Sequence, residues 1–273
     1  MNTRILGLAL LCLAAIGHAD AAARRPAGFY ADYAKVTNRE YRDWNKAFRE
    51  ARALEEIADG LNQMVRIPTA VALTFDECGE SNAFYDPDEQ RVTMCFEMAE
   101  EVVEMFADEK SEDELDDLVA GTLLFFLGHE VGHALTHVLD LPITGKEEDA
   151  VDQLAVLLLS DGSEDSESAL VAVSETFARW SDEEEADDDT FADAHSLNSQ
   201  RLYNILCWSY GRDPEAYSDL VDDGFLPEDR AEGCADEYDQ LSRSWGRLLD
   251  DHLVADAPPA RKVIKKRSGG SQR

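Results

Sequence analysis

The chain has 273 residues, 58 of them acidic and 25 basic, for a net charge of −33. A surface of that sign repels phosphate backbones, which excludes nucleic acid as a partner and favours cations, basic peptides and solubility. The length suits one large domain or two small ones and is enough to bury a substantial core.

Residues Met1 to Arg4 carry one basic side chain, Ile5 to Ile16 are almost continuously apolar, and Ala19-Asp20-Ala21 and Ala21-Ala22-Ala23 are small-x-small cleavage sites. This pattern predicts a secretory signal peptide over residues 1–23, and the apolar run is too short to span a bilayer. Cys12 follows Leu11, where a lipid-attachment motif needs a small residue. Beyond the leader no membrane-spanning segment is expected, so the mature protein is expected to be soluble and exported, periplasmic or secreted.

Without the leader four cysteines remain, Cys78, Cys95, Cys207 and Cys234. An even count in an exported chain favours two disulfides. Of the three pairings, the sequence-local Cys78–Cys95 and Cys207–Cys234 are preferred. A zinc site of four thiolates is disfavoured because no two cysteines have the close spacing such sites use.

Phe29 to Lys35 alternates weakly and predicts a strand. Phe48, Ala51, Leu54, Ile57, Leu61 and Met64 recur at helical spacing and predict one amphipathic helix ending before Pro68. Val71 to Phe75 reads as a strand. Ala83 to Tyr85 and Arg91 to Phe96 flank the turn signal Asp86-Pro87-Asp88 and predict a hairpin. Helices follow over Glu97 to Asp108, from a Ser111/Glu114 capping box through Val138, and over Glu147 to Ser160. A loop that includes the acidic run Ser181 to Thr190 comes next. Asp161 to Asp165 starts like a calcium loop but lacks its later glycine and glutamate. The remainder is expected as helices over Phe191 to Tyr210, from Asp213-Pro214 to Gly224, and from Pro227 to Leu253, then a disordered basic tail over residues 255–273. Strands first and helices after define an α+β class, with a small N-terminal mixed sheet and hairpin and a mostly helical C-terminal part, as one domain over residues 24–254.

The chemistry concentrates in Phe125-Phe-Leu-Gly-His-Glu-Val-Gly-His-Ala-Leu-Thr-His-Val138. His129, Glu130 and His133 form H-E-x-x-H, and residues four apart share one helix face. Two imidazoles so placed can hold one Zn²⁺, and the adjacent glutamate can take a proton from a water the metal has acidified. Gly132 permits another segment to pass close by. The next helix offers Glu148 and Asp152, again four apart. Glu148 is the preferred third ligand, and Asp152 would hold the far nitrogen of a ligand histidine. Glu147 and Asp149 compete with Glu148. Three protein ligands leave a position open, as catalytic sites require. His195 is the best side chain for stabilising an oxyanion, ahead of Tyr203 and Tyr210. His137 reads as a surface or supporting residue.

H-E-x-x-H followed by E-x-x-x-D resembles the gluzincin metallopeptidases. More narrowly, the chain resembles a bacterial group described as metallopeptidases and catalogued as domain of unknown function 4344. The resemblance rests on Glu77-Cys-Gly79, Asn82-Ala-Phe-Tyr85, Gly128-His-Glu-x-Gly-His133, Glu148-x-x-x-Asp152, His195-Ser-Leu-x-x-Gln-Arg201 and Tyr210-Gly-x-Asp-Pro214. It implies a zincin-like fold, one Zn²⁺ and hydrolysis of a peptide or protein substrate. The short gap from His133 to Glu148 is like that of compact members (minigluzincins). It also implies that an edge strand above the active-site helix pairs with extended substrate, a role open to Arg91 to Phe96 or Asn82 to Tyr85. The rival readings are a non-catalytic module that binds zinc or a protein on the same scaffold, and a helical structural protein stapled by disulfides. Oligomeric state is not legible in the sequence.

Overall fold

The computed structural model describes residues 25–254, so the leader over residues 1–23 and the tail over residues 255–273 lie outside the described residues. Strand β1 (Gly28–Ala31) is followed by helices α1 (Arg39–Ala51) and α2 (Ala53–Met64), then by strands β2 (Ala70–Asp76), β3 (Ala83–Asp86) and β4 (Arg91–Cys95). The four strands form one mixed sheet in the order β1-β2-β4-β3. β1 and β4 both run parallel to β2, and β3 closes an antiparallel hairpin on β4. β2 is buried from Val71 through Phe75, on both faces, which explains its near-continuous apolar run. The carboxylate of Asp86 shapes the hairpin turn by accepting the N–H groups of Asp88 and Glu89.

The helical part comprises α3 (Phe96–Phe106), α4 (Glu112–Val138), α5 (Glu147–Leu158), α6 (Glu164–Glu183), α7 (Asp188–Ala192), α8 (Asn198–Arg212), α9 (Asp219–Asp222), α10 (Glu228–Ala231) and α11 (Cys234–Leu249). With the sheet before it, this is an α+β chain. α4 is the central element, packed by α5, α6, α3 and strands β3 and β4. The side chain of Glu114 reaches back to the N–H of Ser111, so the expected capping box starts it. Its middle is buried nearly all round, Phe125 and Ala134 completely, so its polar residues there, His129 and Glu130 among them, face the protein interior and not bulk solvent. That middle is also long and apolar enough to cross a membrane by length and composition, which differs from the expectation, but most of it is buried inside the protein.

Two glycines set how closely its neighbours approach. A Cβ on Gly132 would lie 2.7 Å from the Cβ of Val151 on α5, and one on Gly121 would lie 2.7 Å from the Cβ of Ala172 on α6. A larger residue at either place would push the packed helix away.

Cys78 is bonded to Cys95 and Cys207 to Cys234, with Cα atoms 5.5 and 5.1 Å apart. The first ties the loop after β2 to the end of β4. The second pins α8 to the start of α11, where the carbonyl oxygen of Cys234 lies so close to Gly211 that a Cβ there would sit 2.1 Å from it.

Several boundaries differ from expectation. The single helix expected over Phe48 to Met64 is two helices, because Arg52 adopts left-handed backbone (φ 56°) and turns the chain. α1 begins nine residues earlier than expected and buries Tyr41 and the polar Asn45. The region expected as loop after Ser160 contains the 20-residue α6, started by the Ser163 side chain accepting the N–H of Ser166. Acidic residues at both ends of α6 obscure the buried Ala169, Leu170, Val173 and Phe177 in its centre. The helix expected over Phe191 to Tyr210 is interrupted between α7 and α8, and the one from Pro227 to Leu253 is broken between α10 and α11.

Candidate metal centre

The face of α4 that carries His129 and His133 is held from below by an aromatic cluster. Phe125, Phe126, Phe177 and Trp180 pack with ring centroids 5.5–6.0 Å apart, and the Phe126 ring lies 6.4 Å from that of His129. Such packing fixes the rotation of the helix and so the direction of the histidines above it.

His129 is 2% exposed and Glu130 6%. One turn on, the His133 ring centroid stands 5.0 Å from that of His129. α5 runs back beside α4 and delivers Glu148 to both. Oε2 of Glu148 lies 3.2 Å from Nε2 of His129 and 3.2 Å from Nε2 of His133. The far nitrogens are held as well. Nδ1 of His129 donates to Asp152 Oδ1 at 2.7 Å, and Nδ1 of His133 donates to Glu147 Oε1 at 2.7 Å. A proton on each Nδ1 leaves the Nε2 lone pairs of the neutral rings aimed at Glu148.

Asp152 is also buried. It accepts Nε and Nη2 of Arg201 on α8, each at 2.8 Å. The Arg201 guanidinium lies 4.5 Å from the centroid of the Phe177 ring. A continuous line therefore runs from Phe177 through Arg201 and Asp152 to His129.

His195 lies in the turn between α7 and α8, not in a helix as expected. The Asp193 side chain accepts both its N–H (2.7 Å) and its Nδ1–H (3.0 Å). Lys146 donates to its carbonyl, and Ser196 donates to Asp149 on α5. These contacts tie the turn to the start of α5 and place Nε2 of His195 3.0 Å from Glu148 Oε2.

The electrostatics follow from this crowding. Burial alone would raise Glu148, but its bonds to His129, His133 and His195 carry it far below the usual carboxylate range. Burial alone would lower His133, but Glu148 and Glu147 hold it up at about 9. His129 is likewise raised by Asp152 and Glu148 against its burial. His195 is raised, chiefly by Glu148. Burial would raise Asp152 too, but Arg201 and His129 hold it down at about 2. Glu130 differs in kind, because burial raises it and its neighbours only partly offset this.

His129, His133 and Glu148 form a group that could hold a metal ion, their ligand atoms all within 4.8 Å of one another. The donor set fits such an ion. Nitrogen lone pairs and a carboxylate oxygen point at one place, an arrangement that needs either protons or a cation between them. Cys78, Cys95 and Glu97 also lie close together, but the two sulfurs are joined in a disulfide and so offer no thiolate.

The centre opens on a cleft of about 610 Å³ whose lining includes His129, Glu130 and His195. Asn82 and Ala83 at the start of β3 form one wall, and Trp180 and Glu184 form part of the other. The acidic run Ser181 to Thr190 is thus partly helix and partly cleft wall. Tyr203 and Tyr210 are not among the residues that line this cleft. His137 bonds the Tyr85 hydroxyl at 2.9 Å, away from the histidine–glutamate group.

Two residues gain parts that sequence reasoning did not give them. Glu147, considered as a rival ligand, supports His133. Arg201, the last residue of the His195 motif, anchors Asp152. A signal for Arg201 existed, since Arg201, Ile205 and Trp208 form one buried face of α8.

The fold and centre together define an α+β protein with a buried His-His-Glu group able to hold a metal. The chain belongs to domain of unknown function 4344, a family described as "Putative metallopeptidase", whose profile matches residues 33–249. No curated protein and no solved structure matches the chain.

Proposed function

We propose that the chain is an exported zinc-dependent peptidase with a compact zincin-like fold, one domain over residues 24–254. The observation that carries this reading is the convergence of His129, His133 and Glu148 beside the buried Glu130, where His129 and Glu130 line a cleft. Family membership supports peptides as the substrate. The two disulfides support an oxidising compartment.

His129, His133 and Glu148 would hold one Zn²⁺, a Lewis acid that polarises a carbonyl and acidifies water when bound. Asp152 and Glu147 keep the two imidazoles in the tautomer that presents Nε2, and Arg201 keeps Asp152 in place. Glu130 is the general base. Its buried, raised carboxylate is suited to taking a proton from water and passing it to the departing amine. His195, with its ring oriented by Asp193, would stabilise the oxyanion. β4 lies between β2 and β3 and has no free edge, whereas β3 is an edge strand of the sheet and begins at the cleft wall, so its outer edge can pair with an extended peptide.

Glu130→Gln tests the reading. The variant should keep its zinc and lose peptide hydrolysis by a factor of about 10² or more. Hydrolysis that persists undiminished in the variant contradicts the assigned role.

A further inference from the structure

A second cavity of about 430 Å³ lies between α6, α8 and the segment around α9, and it shares no lining residue with the metal cleft. Its walls are mainly apolar, with Leu170 from α6, Leu202 and Leu206 from α8, and Leu220 from α9. Volume and lining match the general character of small-molecule sites, which are mostly apolar with a few polar groups that fix orientation.

One polar group here is unusual. Ser209 lines the cavity and is 3% exposed, and its Oγ has no hydrogen-bond partner among the described residues. The other serine of the lining, Ser174, donates to the carbonyl of Leu170 one turn back, at 2.7 Å. The Ser209 hydroxyl shows less than 1 Å² of accessible surface, so a ligand that turns the serine side chain toward the cavity and bonds it relieves the cost of a buried, unmade hydrogen bond.

The mouth carries Val171 and Phe225, 53% and 62% exposed, an apolar rim larger than the fold needs. No basic side chain lines the cavity. Its one charged residue, Glu175, is paired with Lys110 at 2.6 Å. In a chain of net charge −33 such a cavity repels anions.

We propose that this cavity binds a small uncharged molecule, with an apolar aromatic or aliphatic body and one hydrogen-bonding group that reaches Ser209. The site is independent of the peptidase reading.

The test titrates the full chain with N-phenyl-1-naphthylamine, a neutral fluorescent amine. A parallel titration uses 8-anilino-1-naphthalenesulfonate, which has the same ring frame with a sulfonate added. The neutral probe should bind saturably at one site, and the sulfonate about tenfold more weakly or worse. Ser209→Ala should weaken the neutral probe about three- to tenfold and leave thermal stability unchanged or higher, because it removes an unbonded buried hydroxyl. Ala178→Trp, which fills the cavity from α6, should abolish binding. Backbone amide shifts in the unaltered chain should move around Leu206, Ser209 and Leu220 on adding the probe, a result that depends on no variant folding. Non-saturating fluorescence, equal binding by both variants, amide shifts elsewhere, or a sulfonate that binds as well as the amine would each overturn the proposal.

Discussion

Arg201 and Asp152 are joined by two hydrogen bonds of 2.8 Å, between partners 49 residues apart, in a place where both are more than nine-tenths buried. The Asp152 Oδ1 that accepts Arg201 Nη2 also accepts Nδ1 of His129 at 2.7 Å. The pair therefore couples the packing of α8 to the orientation of His129, a proposed metal ligand on α4, through a residue on α5.

Removing Arg201 leaves Asp152 buried with only an imidazole for a partner. Arg201→Met should destabilise the protein by about 3–5 kcal/mol, read by urea unfolding. In the folded fraction, zinc affinity should fall about 10- to 100-fold, read by competition with a chromophoric chelator. Arg201→Lys, which keeps the charge but cannot match two carboxylate oxygens, should fall between the two.

Metal removal should loosen the fold, because the His129, His133 and Glu148 group proposed to bind the ion exists only when α4 and α5 are packed together. With free zinc at about 100 times its dissociation constant, stability should rise by about 2.7 kcal/mol over the chelated protein. Differential scanning calorimetry reads this as a melting temperature that climbs with zinc concentration. In His133→Ala the climb should disappear.

The sign of the pH dependence follows from His133. An imidazole titrates ordinarily near 6.5, and in the folded protein Glu148 and Glu147 hold His133 at about 9 against its burial. The folded chelated protein thus binds that proton more tightly than the unfolded chain does. The stabilisation is complete below about pH 6.5 and is lost as pH rises through about 9. The chelated protein should therefore melt lower at about pH 9.5 than at about pH 6. The increment that zinc adds should grow over the same range, because the ion no longer has to displace the proton.

Gly132 tests the close approach of α5 to α4. A Cβ there meets Val151 at 2.7 Å, so Gly132→Ala should cost about 1–3 kcal/mol and weaken zinc binding by moving Glu148. Gly60 on α2 has nothing within 4 Å of the same added atom. Gly60→Ala should stabilise the protein by about 0.5–1 kcal/mol with no change in zinc affinity. Paired urea titrations separate packing from propensity.

What could be read from the sequence is what local spacing controls. His129 and His133 share a helix face because they are four apart, and Glu148 and Asp152 do for the same reason. The turn between α4 and α5 then brings the two pairs together. The capping box at Ser111 and the Asp86 turn are local in the same way. The αL turn at Arg52 was not legible, since nothing in Ala51-Arg-Ala53 demands that conformation. α6 was obscured by its acidic ends, which carry the solvated parts of a helix whose centre is core. His195 reaches the site only because Asp193, Lys146 and Ser196 fasten its turn to α5, and contacts of that kind have no signature in spacing. Arg201 was hidden for a related reason, as its partner lies on another helix.

The most direct measurement is metal content by elemental analysis, on protein purified without chelator, beside His133→Ala prepared identically. The account predicts about one zinc per chain in the first and none in the second, as three protein ligands with one of them removed would give. Protein that stays metal-free after zinc is added back at neutral pH would contradict it, and would leave His129, His133 and Glu148 as an ion-pair cluster inside a helical protein.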